Sequence, residues 1–114
     1  MSLKIYHNPR CSKSRQALAI LTEDGREVDI VAYLQAGLNE AELIDLQAKL
    51  GLELRAMMRT GEAVYKELGL KEEVDEAKLR TAMISNPILL ERPLVVSDKT
   101  AVICRPPELA ADFL

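Results

Sequence analysis

The chain has 114 residues, of which 48% are hydrophobic and 29% charged, and its net charge is −3. These values predict one folded domain over residues 1–114 and argue against nucleic acid as a ligand, which would favour a basic surface. The sequence has no apolar run near the roughly 20 residues that cross a bilayer, and Lys4 and His7 interrupt any secretory signal. We therefore expect a cytoplasmic monomer that does not bind a membrane.

The first predicted elements are a strand, Leu3 to Tyr6, and a helix that begins near Cys11 or Ser12. Asn8-Pro9 marks the turn between them. Apolar residues recur along the helix at a spacing that gives one buried stripe. Gly25 is expected to end the helix in the left-handed conformation that favours glycine.

A second strand is expected within Glu27 to Tyr33, which is rich in β-branched residues. Because a helix of about a dozen residues connects it to the first strand, the two strands should be parallel. Residues 39–90 then read as an all-helical insert. Asn39 and Glu42 have the spacing of a capping box at its first helix.

Asp75 is expected to cap a later helix of this insert, which continues to about Ser85 before Asn86-Pro87 stops it. Val74 precedes this cap and Leu79 follows it. Their spacing is typical of a hydrophobic staple, in which the two side chains pack together and fix the entry of the chain.

Strand character returns at Leu94 to Val96 and at Ala101 to Cys104, which are close enough to form an antiparallel hairpin. Arg105 to Glu108 opens a terminal helix, with Leu109 and Phe113 on its inner face. The order βαβ, helical insert, ββα predicts an α/β protein with a thioredoxin-like fold and a mixed four-stranded sheet.

Cys11 is the first candidate for chemistry, because a thiol at a helix N-terminus near cations is more easily ionised, and the thiolate is the reactive form. A free cysteine is also commonly a small buried hydrophobe, and this is the reading we favour for Cys104. Ser14 stands three residues after Cys11, so a dithiol motif is absent. Two cysteines and one histidine are too few for a closed zinc site of about four ligands, and we expect no metal.

Two neighbours are candidates for stabilising the thiolate. Ser14 could donate a hydrogen bond to the sulfur, or it could be an ordinary first-turn serine that contacts the backbone. His7, the single histidine, could place an imidazolium near the sulfur, or it could be a structural or solvent-facing residue. The sequence leaves both choices open.

Arg59, Arg92 and Arg105 form a second group, because each stands at the boundary of a predicted element. In a thioredoxin-type fold the residue before the proline of the third strand, here Arg92, lies beside the active cysteine. Guanidinium groups there would bind a tetrahedral oxyanion by paired hydrogen bonds. Each arginine alone is more commonly a surface charge.

The chain resembles the glutaredoxin-linked arsenate reductases of the ArsC type, over nearly its whole length and in the order of the family's motifs. Longer members of that family continue past the position that matches Leu114, so the chain looks like a short member. The matching segments are YHNPRCSKSR at 6–15, RAMMR at 55–59, YKELGL at 65–70, NPIL and RPLVV within 86–96, and CRPPE at 104–108.

The resemblance implies that Cys11 attacks arsenate, that Arg59, Arg92 and Arg105 hold the oxyanion, and that His7 and Ser14 favour the thiolate. Glutathione then acts as co-substrate, glutaredoxin removes it, and arsenite leaves, with no bound cofactor. Two alternatives stay open. One is a glutathione-dependent thiol oxidoreductase with another substrate. The other is a non-enzymatic Spx-type regulator of RNA polymerase, although such proteins typically carry a second cysteine at the position of Ser14.

Overall fold

The computed structural model describes residues 3–23, 25 and 27–113, apart from the side chains of residues 112 and 113. The chain forms two compact units. The sheet unit comprises Met1–Ala36 and Arg92–Leu114, and the helical unit comprises Gly37–Glu91. The single domain over residues 1–114 stays a prediction.

The described part of the sheet unit contains four short strands in the spatial order β2-β1-β3-β4. The first and second strands are parallel, whereas the first pairs antiparallel with the third, and the third with the fourth. This mixed sheet and the element order confirm the predicted thioredoxin-like fold. The strands are β1 Lys4–Tyr6, β2 Asp29–Val31, β3 Leu94–Val96 and β4 Ala101–Ile103.

Helix α1, Ser12–Thr22, connects β1 to β2. Its apolar stripe is buried, since Ala17 and Leu21 are both 0% exposed, and Gly25 has the expected positive φ of 82°. The second strand is shorter than predicted, because Tyr33 starts helix α2, Tyr33–Ala36, instead of ending the strand. The core around α1 consists of Leu3, Ile5, Ala17, Leu21, Val95, Cys104 and Ala110.

The expected terminal helix is a 3-10 helix, Pro107–Phe113, which packs on α1. It begins two residues later than the predicted opening at Arg105. Leu109 packs against the core, as expected, whereas the side chain of Phe113 lies outside the described residues.

In the helical unit, α3 is Glu40–Leu50, α4 is Ala63–Glu67 and α5 is Glu76–Ser85. The capping box at α3 is present in both directions: Glu42 N–H donates to Asn39 Oδ1 at 2.8 Å and Asn39 N–H donates to Glu42 Oε1 at 3.3 Å. Asp75 caps α5 by accepting from Ala77 N–H at 2.9 Å. Short 3-10 turns connect these helices.

The predicted staple before α5 is wrong, because Val74 is 94% exposed while Leu79 is buried. The physical reason lies in Arg55, whose guanidinium donates to the carbonyl oxygens of Leu70 and Glu73. These bonds fix the backbone just before Val74, so the path of the chain is set by a half-buried arginine and not by an apolar pair.

The insert also departs from an all-helical segment at one point, where Met58 and Leu90 form an antiparallel bridge. Arg59 N–H donates to Leu89 O at 2.8 Å and Glu91 N–H donates to Met57 O at 2.8 Å beside it. Among the described helices of the chain, none has both the length and the apolarity that crossing a bilayer requires.

Candidate active site

A tight turn carries the chain from β1 to Cys11. His7 N–H donates to Val31 O at 3.1 Å and thereby extends the pairing with β2 by one residue. Asn8 then organises the turn, because its carbonyl oxygen accepts from Cys11 N–H and its side-chain Oδ1 accepts from Arg10 N–H, both at 3.0 Å. These bonds hold Cys11 at the N-terminus of α1.

Cys11 is the N-cap residue of α1, with extended dihedral angles of φ −92° and ψ 119°. At this position a side-chain atom faces the first unpaired amides of the helix. Oxygen-bearing residues normally occupy it, and here a half-buried sulfur does.

Burial alone would raise the pKa of the Cys11 thiol, yet the net effect of its surroundings is to lower that pKa. The backbone amides of Ser14 and Lys13 favour the ionised sulfur, and the guanidinium charges of Arg92 and Arg105 add to their effect. Since the thiolate is the nucleophilic form of cysteine, these four groups favour a reactive sulfur.

Arg92 and Arg105 lie at the same end of the β3–β4 hairpin. Leu94 pairs with Ile103 in the register of that hairpin, and the two arginines continue it outward by two residues on each side. The Arg105 guanidinium donates to Arg92 O at 3.2 Å. The peptide bond between Arg92 and Pro93 is cis. The strand pairing therefore brings together two cations that are far apart in sequence.

His7 and Ser14 lie together beneath the turn. The Nδ1 atom of His7 is 2.7 Å from Ser14 Oγ, which also accepts from Asn8 N–H at 3.1 Å. Ser14 is 0% and His7 9% exposed. The serine hydroxyl thus contacts the histidine and the backbone of the turn, whereas the amide of the same residue acts on the Cys11 sulfur.

Burial and the nearby charge of Arg15 lower the pKa of His7 below its ordinary value. Near neutral pH this favours an uncharged ring, which differs from the imidazolium considered from the sequence. Arg15 itself donates to Pro9 O at 2.7 Å across the turn. The geometry therefore favours an indirect part for His7, in which a neutral ring positions Ser14.

Arg59 is in the helical unit, at the bridge between residues 58 and 90. Its Nη2 atom is 2.8 Å from Glu62 Oε1, and the two side chains are 21% and 24% exposed. Glu62 is not predicted as a site residue from the sequence. The spacing of three residues between opposite charges was the available signal, but such pairs are common on protein surfaces.

Cys104 is fully buried in the core of the sheet unit, as expected, with its Sγ 3.7 Å from Val102 O. Its thiol is therefore shielded from solvent, and Cys11 is the more accessible of the two cysteines. Within the described residues, no group of three or more histidine, cysteine or carboxylate side chains is arranged to hold a metal ion.

Comparison with known proteins gives consistent likenesses over nearly the whole chain. The model of the ArsC family matches residues 6–113. The uncharacterised protein YfgD of Escherichia coli K12 is 49% identical over 114 residues, which cover 98% of this chain and 96% of that protein. A Neisseria meningitidis serogroup A protein named arsenate reductase is 46% identical over 108 residues, covering 93% of this chain and 92% of its own.

A solved structure described as an arsenate reductase from Vibrio cholerae matches with a TM-score of 0.95 and 45% sequence identity. That match covers 100% of this chain and 98% of the other. The family match includes the turn that carries Cys11 and the hairpin end that carries Arg92 and Arg105.

Proposed function

This chain belongs to the ArsC family, and from that premise we propose that it reduces arsenate to arsenite through a covalent adduct on Cys11. The observation that carries the proposal is the N-cap thiol whose pKa is lowered by two backbone amides and two guanidinium groups. Relatives named arsenate reductase at 37–46% identity support the choice of substrate.

In the first step the Cys11 thiolate attacks arsenic and a hydroxyl group of arsenate leaves as water after taking up a proton. Arg92 and Arg105 would bind the oxyanion by paired N–H donors and offset the charge that gathers on its oxygens. Because both charges also favour the thiolate, the same two residues would prepare the nucleophile and hold its target.

The second stage needs an outside thiol, because Ser14 stands where a dithiol motif would have its second cysteine. We assign this step to glutathione. Arsenic gains two electrons and departs as arsenite, while two thiols lose them and become one disulfide. Glutaredoxin would then reduce the mixed glutathione disulfide and return Cys11 to its thiol form. This cycle needs no resident cofactor.

Three further residues have proposed supporting roles. His7 would hold Ser14 so that the amide of Ser14 faces the sulfur, a proposal supported by the 2.7 Å contact between their side chains. Arg59 would contribute a third guanidinium to oxyanion binding, and this proposal rests on the family resemblance of the segment at residues 55–59.

We further propose that the protein acts in the cytoplasm as a monomer. A cycle driven by glutathione needs a reducing compartment, where cysteines remain thiols. Both Cys11 and Cys104 are thiols in this structure.

A second candidate function is glutathione-dependent thiol exchange on a different substrate. It is favoured by one observation: the groups that lower the pKa of Cys11 belong to the protein, so the sulfur is activated without arsenate. The two arginines would then bind a carboxylate or a phosphate.

The test is arsenite production by the purified protein with glutathione and glutaredoxin. We expect turnover by the wild type, loss in Cys11→Ser, and retention in Cys104→Ala, the matched control for a buried thiol. If the wild type gives no arsenite where a known arsenate reductase does, the first proposal fails. Glutathionylation of Cys11 that does not depend on arsenate would then favour the second.

A further inference from the structure

The turn before α1 is a four-residue β-turn that ends at Cys11. Asn8 O accepts from Cys11 N–H at 3.0 Å, and asparagine and proline stand at the first and second positions, where such turns favour them. Arg10, the third residue, lacks the positive φ of a type II turn, since among the described residues only glycines have one. The turn therefore has the type I arrangement, which sets the orientation of its central peptide group, between Pro9 and Arg10.

Side chains bind both polar atoms of this central peptide group. Arg10 N–H donates to Asn8 Oδ1 at 3.0 Å, and Pro9 O accepts from Arg15 Nη1 at 2.7 Å. Because the ring of Pro9 fixes its φ angle, rotation of this peptide group is the main freedom that the turn retains. The two bonds restrict that rotation, one at the N–H and one at the carbonyl oxygen.

Arg15 reaches the turn from helix α1, and it has a counterpart in Ser14. Ser14 is buried and accepts from Asn8 N–H at 3.1 Å, six residues back, whereas Arg15 is exposed and donates to Pro9 O, also six residues back. In addition, Arg15 N–H donates to Cys11 O at 3.1 Å. The turn and the helix are thus joined on a buried and on an exposed side, with Cys11 between them.

The charge of Arg15 has a different target from the charges that act on the sulfur. Arg92 and Arg105 supply the charges that act on Cys11. Burial and then the charge of Arg15 lower the pKa of His7. An influence of Arg15 on Cys11 must therefore pass through the backbone of the turn or through His7, and an experiment can separate these two routes.

We propose that Arg15 is a positioning residue for Cys11, because its hydrogen bond to Pro9 O holds the turn in the orientation that keeps the sulfur at the first amides of α1. The inference rests on the proposed role of Cys11 as the nucleophile. Arg15 itself touches neither the sulfur nor the oxyanion. Without its bond the central peptide group rotates more freely, the sulfur spends less time at the amides, and a smaller fraction of it is ionised near neutral pH.

The experiment measures the rate of Cys11 alkylation by iodoacetamide, an uncharged reagent, against pH. Cys104 is fully buried, so alkylation of the folded protein reports on Cys11. Arg15→Met keeps the length of the side chain without a donor or a charge, and Arg15→Lys keeps a donor and the charge. Arg10→Met is the matched control, since it removes an exposed arginine next to Cys11 and leaves both bonds of the central peptide group in place.

In Arg15→Met we expect the midpoint of the rate profile to rise by about one pH unit, the size expected when an ionised group loses one favourable interaction with an amide. Arg15→Lys should restore most of the wild-type midpoint, and Arg10→Met should keep it. An unchanged midpoint in Arg15→Met overturns the inference. An equal rise in Arg10→Met does so as well, because positive charge in general would then be the cause.

Two further measurements separate the routes. The rise caused by Arg15→Met should persist in a His7→Gln background and in about 1 M salt, where the Debye length is about 3 Å. Its loss in the His7→Gln background would assign the effect to His7, and its loss in salt would assign it to charge, so either result overturns the inference.

Asn8→Ala tests the same peptide group from its other atom. It should also raise the midpoint, and combined with Arg15→Met it should add less than its own effect, since both substitutions release one peptide group. An Asn8→Ala variant with the wild-type midpoint overturns the inference whether or not Arg15→Met folds.

Failure of this inference differs from failure of the proposed function, because alkylation needs no arsenate. A midpoint that rises in Arg15→Met, in a protein that makes no arsenite, supports the positioning role and ends the arsenate proposal. Arsenite production by the wild type with an unchanged midpoint in Arg15→Met supports the proposed function and overturns the role of Arg15.

Discussion

Replacing Ser14 with alanine separates the two jobs that this residue performs. The hydroxyl accepts from Asn8 N–H at 3.1 Å and lies 2.7 Å from His7 Nδ1. The backbone amide of the same residue acts on the Cys11 sulfur. Alanine removes the hydroxyl and keeps the amide, so we expect stability to fall.

The magnitude follows from burial. Ser14 is 0% exposed and His7 is 9% exposed. The substitution therefore removes the hydrogen-bond partner of His7 Nδ1 and of Asn8 N–H at a place where water has little access. An unsatisfied buried group costs about 1–3 kcal/mol, and Asn8 N–H is only partly buried. We therefore expect the free energy of unfolding to fall by about 2–4 kcal/mol, a large share of the roughly 5–15 kcal/mol of a typical domain.

The assay is urea unfolding followed by circular dichroism, with the midpoint and slope compared between variants. Ser12→Ala is the matched control, because Ser12 lies on the same first turn of α1 and is exposed. It should stay within about 0.5 kcal/mol of the wild type. If Ser14→Ala is as stable as this control, the hydrogen-bonded arrangement of His7, Asn8 and Ser14 described above is wrong.

Three other predictions concern stability. The pKa of His7 is lowered on folding, so the unfolded chain binds the proton more tightly and stability should fall as pH drops below about 6.5. In His7→Gln that part of the pH dependence of urea midpoints should vanish, and an unchanged profile would contradict the shift. Asp75→Ala removes the bond to Ala77 N–H and should lower the free energy of unfolding by about 1 kcal/mol, whereas no change would mean that solvent replaces the cap. The free energy of unfolding of Val74→Ser should lie within about 0.5 kcal/mol of the wild type, because Val74 is 94% exposed. A larger loss would mean that Val74 does pack against Leu79 as a hydrophobic staple.

Local rules predicted most of the fold. The capping box at Asn39 and Glu42 and the cap at Asp75 depend on residues three or fewer apart, and both are present. The parallel pairing of β1 and β2 follows from the length of their connection. The staple at Val74 failed because Arg55, a residue distant in sequence, fixes the backbone there, and a local pattern does not contain that contact.

In the candidate site, too, features set by neighbouring residues were predicted and features set by burial and side-chain pairing were not. The position of Cys11 at a helix N-terminus followed from the strand, turn and helix signals around it. The lowered pKa of His7 did not, because it depends on burial and on the charge of Arg15. The pairing of Arg59 with Glu62 was equally hidden, since the spacing alone does not reveal that both side chains are largely covered.

The central claim is that protein groups, above all the amides at the start of α1 and the arginines of the hairpin end, lower the pKa of the Cys11 thiol. The direct test is the rate of Cys11 alkylation against pH in the wild type, Arg92→Ala and Arg105→Ala, with the exposed Arg10→Ala as control. We predict a pKa below the ordinary cysteine value in the wild type and control, and a higher pKa in Arg92→Ala and Arg105→Ala. An ordinary or raised pKa in the wild type, unchanged by either substitution, would contradict the account.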